Sequence, residues 1–324
     1  MTRDQALPFP PVRPKPAPSP PEVRGLGAGR ARALRLGAYA STWLVWGSTY
    51  LAIRLAVETV PPFLLVGLRS LSAGLVLLGW AWLAGHRAPT RAQWKAAVLA
   101  GAMFFLVGHG GLFWAEQRVA SGVAALLIAT EHFWVVLIAW AAPGGRAPSP
   151  RAAAGVLLGL AGVGLLSSGG GEGGLDAAGL GALLLSSVAW AAGSIYFQGA
   201  RRPESPLYGA GMPLAMGGTL LLGLSAAAGE AGRVQAADFT PVAVASLLYL
   251  VVFGSVIAFT AYAWLVQTEG PSRAASYVYV NPFIAVLLGW AAVGEPVTGR
   301  MAAAGAAIVA AVVLIVRDPR EGAR

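Results

Sequence analysis

GSTY at residues 47–50 returns as GSIY at 193–196, inside a second apolar run 146 positions later. RAAAG at 151–155 is answered 150 positions on by MAAAG at 301–305. Between these, the apolar run starting at Ser121 lies over the one starting at Ser272, an offset of 151. Each of those runs ends in a glycine-containing turn, GGRAPS at 144–149 or GEPVTG at 294–299. Three matches in one order at nearly one offset identify an internal duplication.

What is duplicated follows from composition. The 324 residues are 56% hydrophobic and only 11% charged, with a mean hydropathy of +0.66. A soluble domain carries roughly 25% charged residues, so this chain lacks the polar surface that water requires. Forty-three glycines suit helices packed closely in lipid. Ten apolar runs follow one another at about 37–57, 62–84, 96–115, 119–142, 152–168, 176–198, 206–229, 241–266, 272–293 and 301–317. Each approaches the roughly 20 residues that a spanning helix needs. The fold class is therefore an all-α polytopic membrane protein with ten transmembrane helices. A five-helix copy has an odd number of spans, so its second copy enters from the opposite face, as two inverted repeats do. The expected boundaries are a Pro-rich basic tail at 1–36, repeats at 37–168 and 169–317, and a short tail at 318–324.

The net charge of +9 does not indicate nucleic acid. Seven of the 23 basic residues lie in the first 35 positions, and most others punctuate the apolar runs. With the N-terminus inside, the inner segments collect 18 Arg and Lys, and the outer loops only Arg118, Arg233 and Arg300. This asymmetry places both termini in the cytoplasm. The outer loops would also hold Glu58, Glu116, Glu172, Asp176, Glu230, Asp238 and Glu295. Eight prolines precede Arg24 and no apolar core accompanies them, so the tail reads as a disordered cytosolic extension and not a secretory signal. The absence of cysteine excludes disulfides, thiol nucleophiles and Cys-based metal sites.

The stretches WGSTYLAIR (46–54), GLRSLSAGLVLL (67–78), SGVAALLIAT (121–130), VNPFIAVLLGWAAVGEP (280–296) and MAAAGAAIVAAVVL (301–314) resemble the drug/metabolite transporter superfamily, specifically its EamA-type ten-helix members. The resemblance spans about 37–317 and implies a basket of helices around a central cavity. It also implies transport of small organic solutes, often outward. Two positions depart from the family pattern. Where the first repeat usually carries a proline, this chain has Thr130-Glu131-His132, whereas the second keeps Asn281-Pro282. The Gly-Glu turn survives as Gly294-Glu295-Pro296 but is replaced in the first half by Pro143-Gly144-Gly145-Arg146.

Glu131 lies about 12 residues into its run, which at 1.5 Å per residue is roughly 18 Å deep, near mid-membrane. It falls opposite Pro282 of the other repeat. A carboxylate there either lines a solute cavity, with a proton-coupling role, or is a structural group neutralised by its surroundings. Leu127, Ile128, Trp134 and Val135 share its face at helical spacing. His132 points about 100° away and reads as a packed or interfacial histidine bonded to a carbonyl. Arg54 pairs with Glu58 at i,i+4, or with a solute carboxylate or Glu131. Arg69 reads mainly as a structural or interfacial anchor.

Trp43, Trp80, Trp82 and Trp94 fall near interfaces, where amphipathic rings gather. Trp46, Tyr50, Trp134, Trp190, Tyr196, Tyr277 and Tyr279 lie deeper and either pack or wall a cavity able to hold apolar groups and ammonium. His109 in GHGG can approach that space. The candidate solute-binding set is Glu131, Trp134, Trp46, Tyr50, Arg54, Tyr196, Tyr277 and Asn281, with Glu131 also the candidate proton carrier.

No phosphate loop, nucleophile elbow, HExxH or Cys/His cluster occurs, so neither enzyme activity, a metal nor a cofactor is expected. The leading expectation is a secondary transporter in the bacterial inner membrane, an exporter of small amphipathic metabolites such as amino acids. One alternative is proton-coupled efflux of lipophilic cations through Glu131. Another is a non-transporting scaffold or sensor. Expected partners are a small solute, lipid and protons, for a monomer or homodimer.

Overall fold

The computed structural model describes residues 28–142, 147–167 and 176–316. The Pro-rich tail before residue 28, the first half of the GGRAPS turn, the glycine run after Ser167, Glu172 and the C-terminal tail lie outside them.

Among the described residues, ten helical segments appear where ten apolar runs were expected. α1 comprises Ala28–Ala40, a π-helical stretch Ser41–Val45, and Trp46–Val57. α2 is Pro62–Leu83, and α3 joins Arg91–Gly101, a π-helical Ala102–His109 and Gly110–Glu116. α4 is split into Ser121–Ile128 and Glu131–Ala141. α5 is Pro150–Ser167, α6 Ala177–Gly199 and α7 Pro206–Ala227. α8 joins Pro241–Tyr249, a π-helical Leu250–Ile257 and Ala258–Glu269. α9 comprises Pro271–Ala274, a 3₁₀ turn Ala275–Tyr279 and Asn281–Val293, and α10 is Gly299–Val316. Among the described residues, six helical spans (α2, α3, α4, α6, α7 and α8, with α4 taken across its break) are long and apolar enough to cross a membrane.

α1 begins at Ala28, nine positions before the expected start, so part of the segment assigned to the tail is helical. Its sequence AGRARALRL is rich in Ala, Arg and Leu, strong helix formers that follow the last tail proline. Elsewhere the starts and stops are chemical. Pro stands at the first helical position of α2, α7 and α8, where its missing N–H costs nothing. Thr90 and Gln93 form a capping box at α3. Gly85, Gly229 and Gly294 adopt φ of +72°, +70° and +68° after α2, α7 and α9, a conformation that L side chains resist.

Helices from the two halves interleave. α2 lies along α7 and α5 along α10, so helices at corresponding places in the two copies pack on each other. α1 lies against α9 and α4 against α6, again an exchanged pair. Two glycines permit the α2–α7 contact. A Cβ on Gly74 would stand 2.4 Å from the Ala215 backbone N, and one on Gly218 would stand 2.4 Å from Leu71 N. Such close backbone approach is the usual basis of helix association in lipid.

The polarity is inverted relative to a soluble protein. Leu75, Trp80, Trp82, Leu83, Phe283, Leu287 and Trp290 are exposed on the outside, whereas Arg69, His109, Glu116, Glu131, His132 and Asn281 are buried. Glu116, expected in an outer loop, is fully buried at the end of α3, because that helix runs one residue beyond the apolar run.

The Gly-Glu turn after α9 has a structural task. Glu295 accepts from Ser121 N (2.9 Å), Ser121 Oγ (2.8 Å) and Gly122 N (3.4 Å). A carboxylate thus caps the start of α4 from the other half, satisfying N–H groups that have no partner within their own helix.

Candidate functional site

The middle of the bundle is built from deliberate interruptions of helices. The π-helical stretches of α3 and α8 occupy 102–109 and 250–257, corresponding places in the two copies at an offset of 148. A π turn misaligns the carbonyl ladder and often marks a working site. Here Trp46 Nε1 donates to the Gly254 carbonyl at 3.0 Å, inside the α8 stretch. Ser255, in the same stretch, accepts from Arg69 Nε at 2.9 Å through its Oγ.

α4 and α9 break at matching positions, after Ile128 and after Tyr279. The α9 break follows the Asn281-Pro282 expectation, since proline lacks the N–H that would continue the ladder. Asn281 closes this gap, its amide donating to the Trp43 carbonyl (2.7 Å) and the Tyr277 carbonyl (3.2 Å). α4 breaks without a proline. Hydroxyls take over: Thr130 Oγ1 donates to the Leu127 carbonyl (2.6 Å) and meets Ser187 Oγ (3.0 Å), and Ser187 Oγ reaches the Ile128 carbonyl (3.4 Å). The α4 gap is thus bonded from α6 and the α9 gap from α1.

Between these interruptions lies a cavity of about 40 Å³, lined by Trp46, Thr49, Tyr50, Ile53, Arg69, Gly108, His109, Leu112, Ile128, Ser186, Trp190, Tyr277 and Asn281. That is room for a few waters, far below the roughly 300–1,000 Å³ of a formed small-molecule site.

Aromatic edges form one wall. Trp46 meets the edge of Tyr277 at 4.7 Å and 88°, and of Trp190 at 5.7 Å and 86°. Tyr262 supports them from behind. It accepts from Trp190 Nε1 (3.2 Å) and donates to Ser194 Oγ (2.6 Å), whose own hydrogen goes to the Trp190 carbonyl (2.7 Å). His109 lies 4.9 Å from Trp190.

Glu131 stands behind this wall, not in it. It is fully buried, and Tyr277 donates its hydroxyl hydrogen to Oε2, while Oε1 has no hydrogen-bond partner. Among the described residues no ion pair involves Glu131, so it reaches the cavity through Tyr277.

Arg69 is buried, which overturns the interfacial half of the anchor reading and leaves the structural half open. It is 2% exposed, lines the cavity and lies 5.5 Å over the Phe113 ring. Its Nε donates to Ser255 Oγ, and no other hydrogen bond or ion pair of its guanidinium occurs among the described residues. The clue was present in sequence. No acid lies within four residues of Arg69 on its helix, so its partner had to come from elsewhere.

Of the other candidates, Trp46, Tyr50, Tyr277 and Asn281 come together in the cavity. Arg54 does not line it; Nη1 donates to the Glu116 carbonyl (2.9 Å), and Nη2 pairs with Glu58 (3.9 Å) as the i,i+4 reading held. Tyr196 is half-buried away from the lining, because Trp190 and Ser194 occupy the inward face of α6. Trp134 is half-buried and does not line the cavity; it shares the unbroken segment Glu131–Ala141 with Glu131, which itself stands behind the cavity wall. His132 is buried with its ring 6.2 Å from Tyr279. Among the described residues no His, Cys, Asp and Glu cluster could hold a metal ion.

The chain is 37% identical to the inner membrane transporter YedA of Escherichia coli (strain K12) over 282 residues, covering 86% of this chain and 89% of YedA. It is 24% identical to a WAT1-related chloroplastic protein of Arabidopsis thaliana, covering 91% of this chain and 72% of that one. A solved crystal structure with 24% sequence identity shares the fold at a TM-score of 0.62, over 87% of this chain and 96% of its own. The EamA-like transporter family matches residues 38–168 and 177–317, one stretch in each half. Matched in both halves, the chain belongs to the EamA-like transporter family.

Proposed function

We propose that this transporter exports small amphipathic metabolites carrying a carboxylate and an apolar or aromatic side chain, amino acids foremost. One observation carries the reading: a buried arginine with a free guanidinium face shares a cavity with Trp46, Tyr50, Trp190 and Tyr277. Arginine binds carboxylates bidentately, and rings supply apolar surface with some affinity for ammonium. The two five-helix copies, 37–168 and 169–317, would be inverted and would rock about the cavity, opening it to each side in turn. The breaks in α4 and α9 supply hinges. The distribution of basic residues and the inner-membrane relative support placement in a bacterial cytoplasmic membrane with both termini inside.

The test is counterflow of labelled amino acids into liposomes containing the purified protein, against empty liposomes. Aromatic and large aliphatic members should exchange fastest. Flat traces across aromatic, aliphatic and sulfur-containing amino acids would sink the reading.

A second reading, proton-coupled efflux of lipophilic cations, is favoured by Glu131 alone. Its carboxylate has one oxygen free and sits one hydroxyl away from the cavity. Glu131→Gln keeps an acceptor for Tyr277 but cannot carry a proton. Under this reading, pH-gradient-driven efflux of a lipophilic cation falls at least about tenfold, as general proton-transfer roles do, while solute exchange persists. Unchanged gradient-driven efflux would make Glu131 structural.

A further inference from the structure

We infer that Glu116 is a proton-binding site that competes with the solute's carboxylate for Arg69. Glu116 is fully buried, and neither carboxylate oxygen has a hydrogen-bond partner. It lies one turn after Phe113 on α3, and Phe113 is the ring on which Arg69 rests. His109, Phe113 and Glu116 follow each other at helical spacing, leading from the cavity to the α3–α4 end of the bundle.

The charged and titratable groups around Glu116 are few. From α1 come Tyr50 and Arg54, the latter bound to the Glu116 carbonyl and to Glu58. From α2 comes Arg69, and from the α9–α10 turn comes Glu295, already occupied with the start of α4. His109 shares α3 with it, while Arg118 is paired with Asp176 at 3.4 Å. Of the two cations nearby, Arg54 already donates to the Glu116 main-chain carbonyl and pairs with Glu58, whereas Arg69 is engaged only through Nε.

With Nε given to Ser255, the Arg69 guanidinium keeps one bidentate face, Nη1 and Nη2, which a single carboxylate fills. When Glu116 carries a proton it has no charge to offer, and Arg69 is left to the cavity. When the proton leaves to the aqueous phase at the α3–α4 end, the carboxylate draws Arg69 and the bound solute loses its anchor. Protonation and deprotonation from one side would set solute affinity at that side without net proton transport. This rests on the reading of Arg69 as the solute's anion ligand.

Two measurements on the full-length protein in liposomes test it. The first is an acid-minus-alkaline infrared difference spectrum without solute, in which a protonated carboxyl band should be present in the native protein and in Glu131→Gln, and lost in Glu116→Gln. The second is a fluorescence titration of the cavity tryptophans with L-phenylalanine as probe. Native affinity should strengthen about tenfold from the alkaline to the acid end, the worth of one charged hydrogen bond, whereas Glu116→Gln should hold the acid-end affinity throughout. A Glu116→Gln protein that keeps both the band and the native pH dependence overturns the proposal. If that variant fails to fold, Glu116→Asp should shift the band, and an unmoved band overturns the proposal equally. Loss of the band without any L-phenylalanine binding by the native protein would leave the proton site standing and contradict the amino-acid reading instead.

Discussion

Arg69→Gln should slow amino-acid counterflow by roughly one to two orders of magnitude, since a hydrogen-bonded charge contributes about 1.5–3 kcal/mol and each 1.4 kcal/mol is tenfold. Glutamine can still donate to Ser255 Oγ, so the local bond to the α8 π turn has a replacement. What is lost is the charge and the fork that a carboxylate would grip. Arg69→Lys restores the charge without the planar fork and should recover only part of the rate. The check is initial counterflow rate at matched protein density, with a thermal melt showing that the variant remains folded. A native rate in Arg69→Gln would remove Arg69 from the solute path.

The largest effect on the fold is expected at Gly74. A leucine there must place its Cβ where the Ala215 backbone N already lies, 2.4 Å away. Side-chain crowding in a core costs about 1–3 kcal/mol, and here backbone rather than a flexible side chain is the obstacle, so α2 and α7 must separate. Gly74→Leu should elute as aggregate, or melt well below the native protein, in detergent chromatography and thermal unfolding. Gly79→Leu on the same helix is the control. No atom stands within 4 Å of a Cβ there, and its melting temperature should stay near native.

Much of this architecture was legible in the chain itself, for reasons that differ from element to element. The ten apolar runs survive as ten helices because hydrocarbon demands internally bonded backbone of fixed length. The break at Asn281-Pro282 was legible because proline cannot donate. Its partner after Ile128 was not, because Thr130 and Ser187 do the same work through hydroxyls from two helices. The π-helical stretches of α3 and α8 leave no compositional trace. Short sequence repeats aligned the halves, yet only packing showed α2 against α7 through Gly74 and Gly218.

The site was half legible. Trp46, Tyr50, Tyr277 and Asn281 stood near the repeated motifs and came together. Trp134 and Tyr196 did not: Trp134 follows Glu131, which stands behind the cavity wall, and Tyr196 lies off the face of α6 that carries Trp190. Glu116 was misplaced by depth: its position at the end of the apolar run put it in an outer loop, whereas neighbouring helices bury it completely.

The most direct measurement is a structure of the protein in lipid nanodiscs saturated with an amino acid that it exchanges. The cavity should be enlarged, with the solute's carboxylate on the Arg69 guanidinium and its side chain between Trp46 and Trp190. A solute bound elsewhere, with Arg69 holding only Ser255 and the cavity no larger, would contradict that assignment.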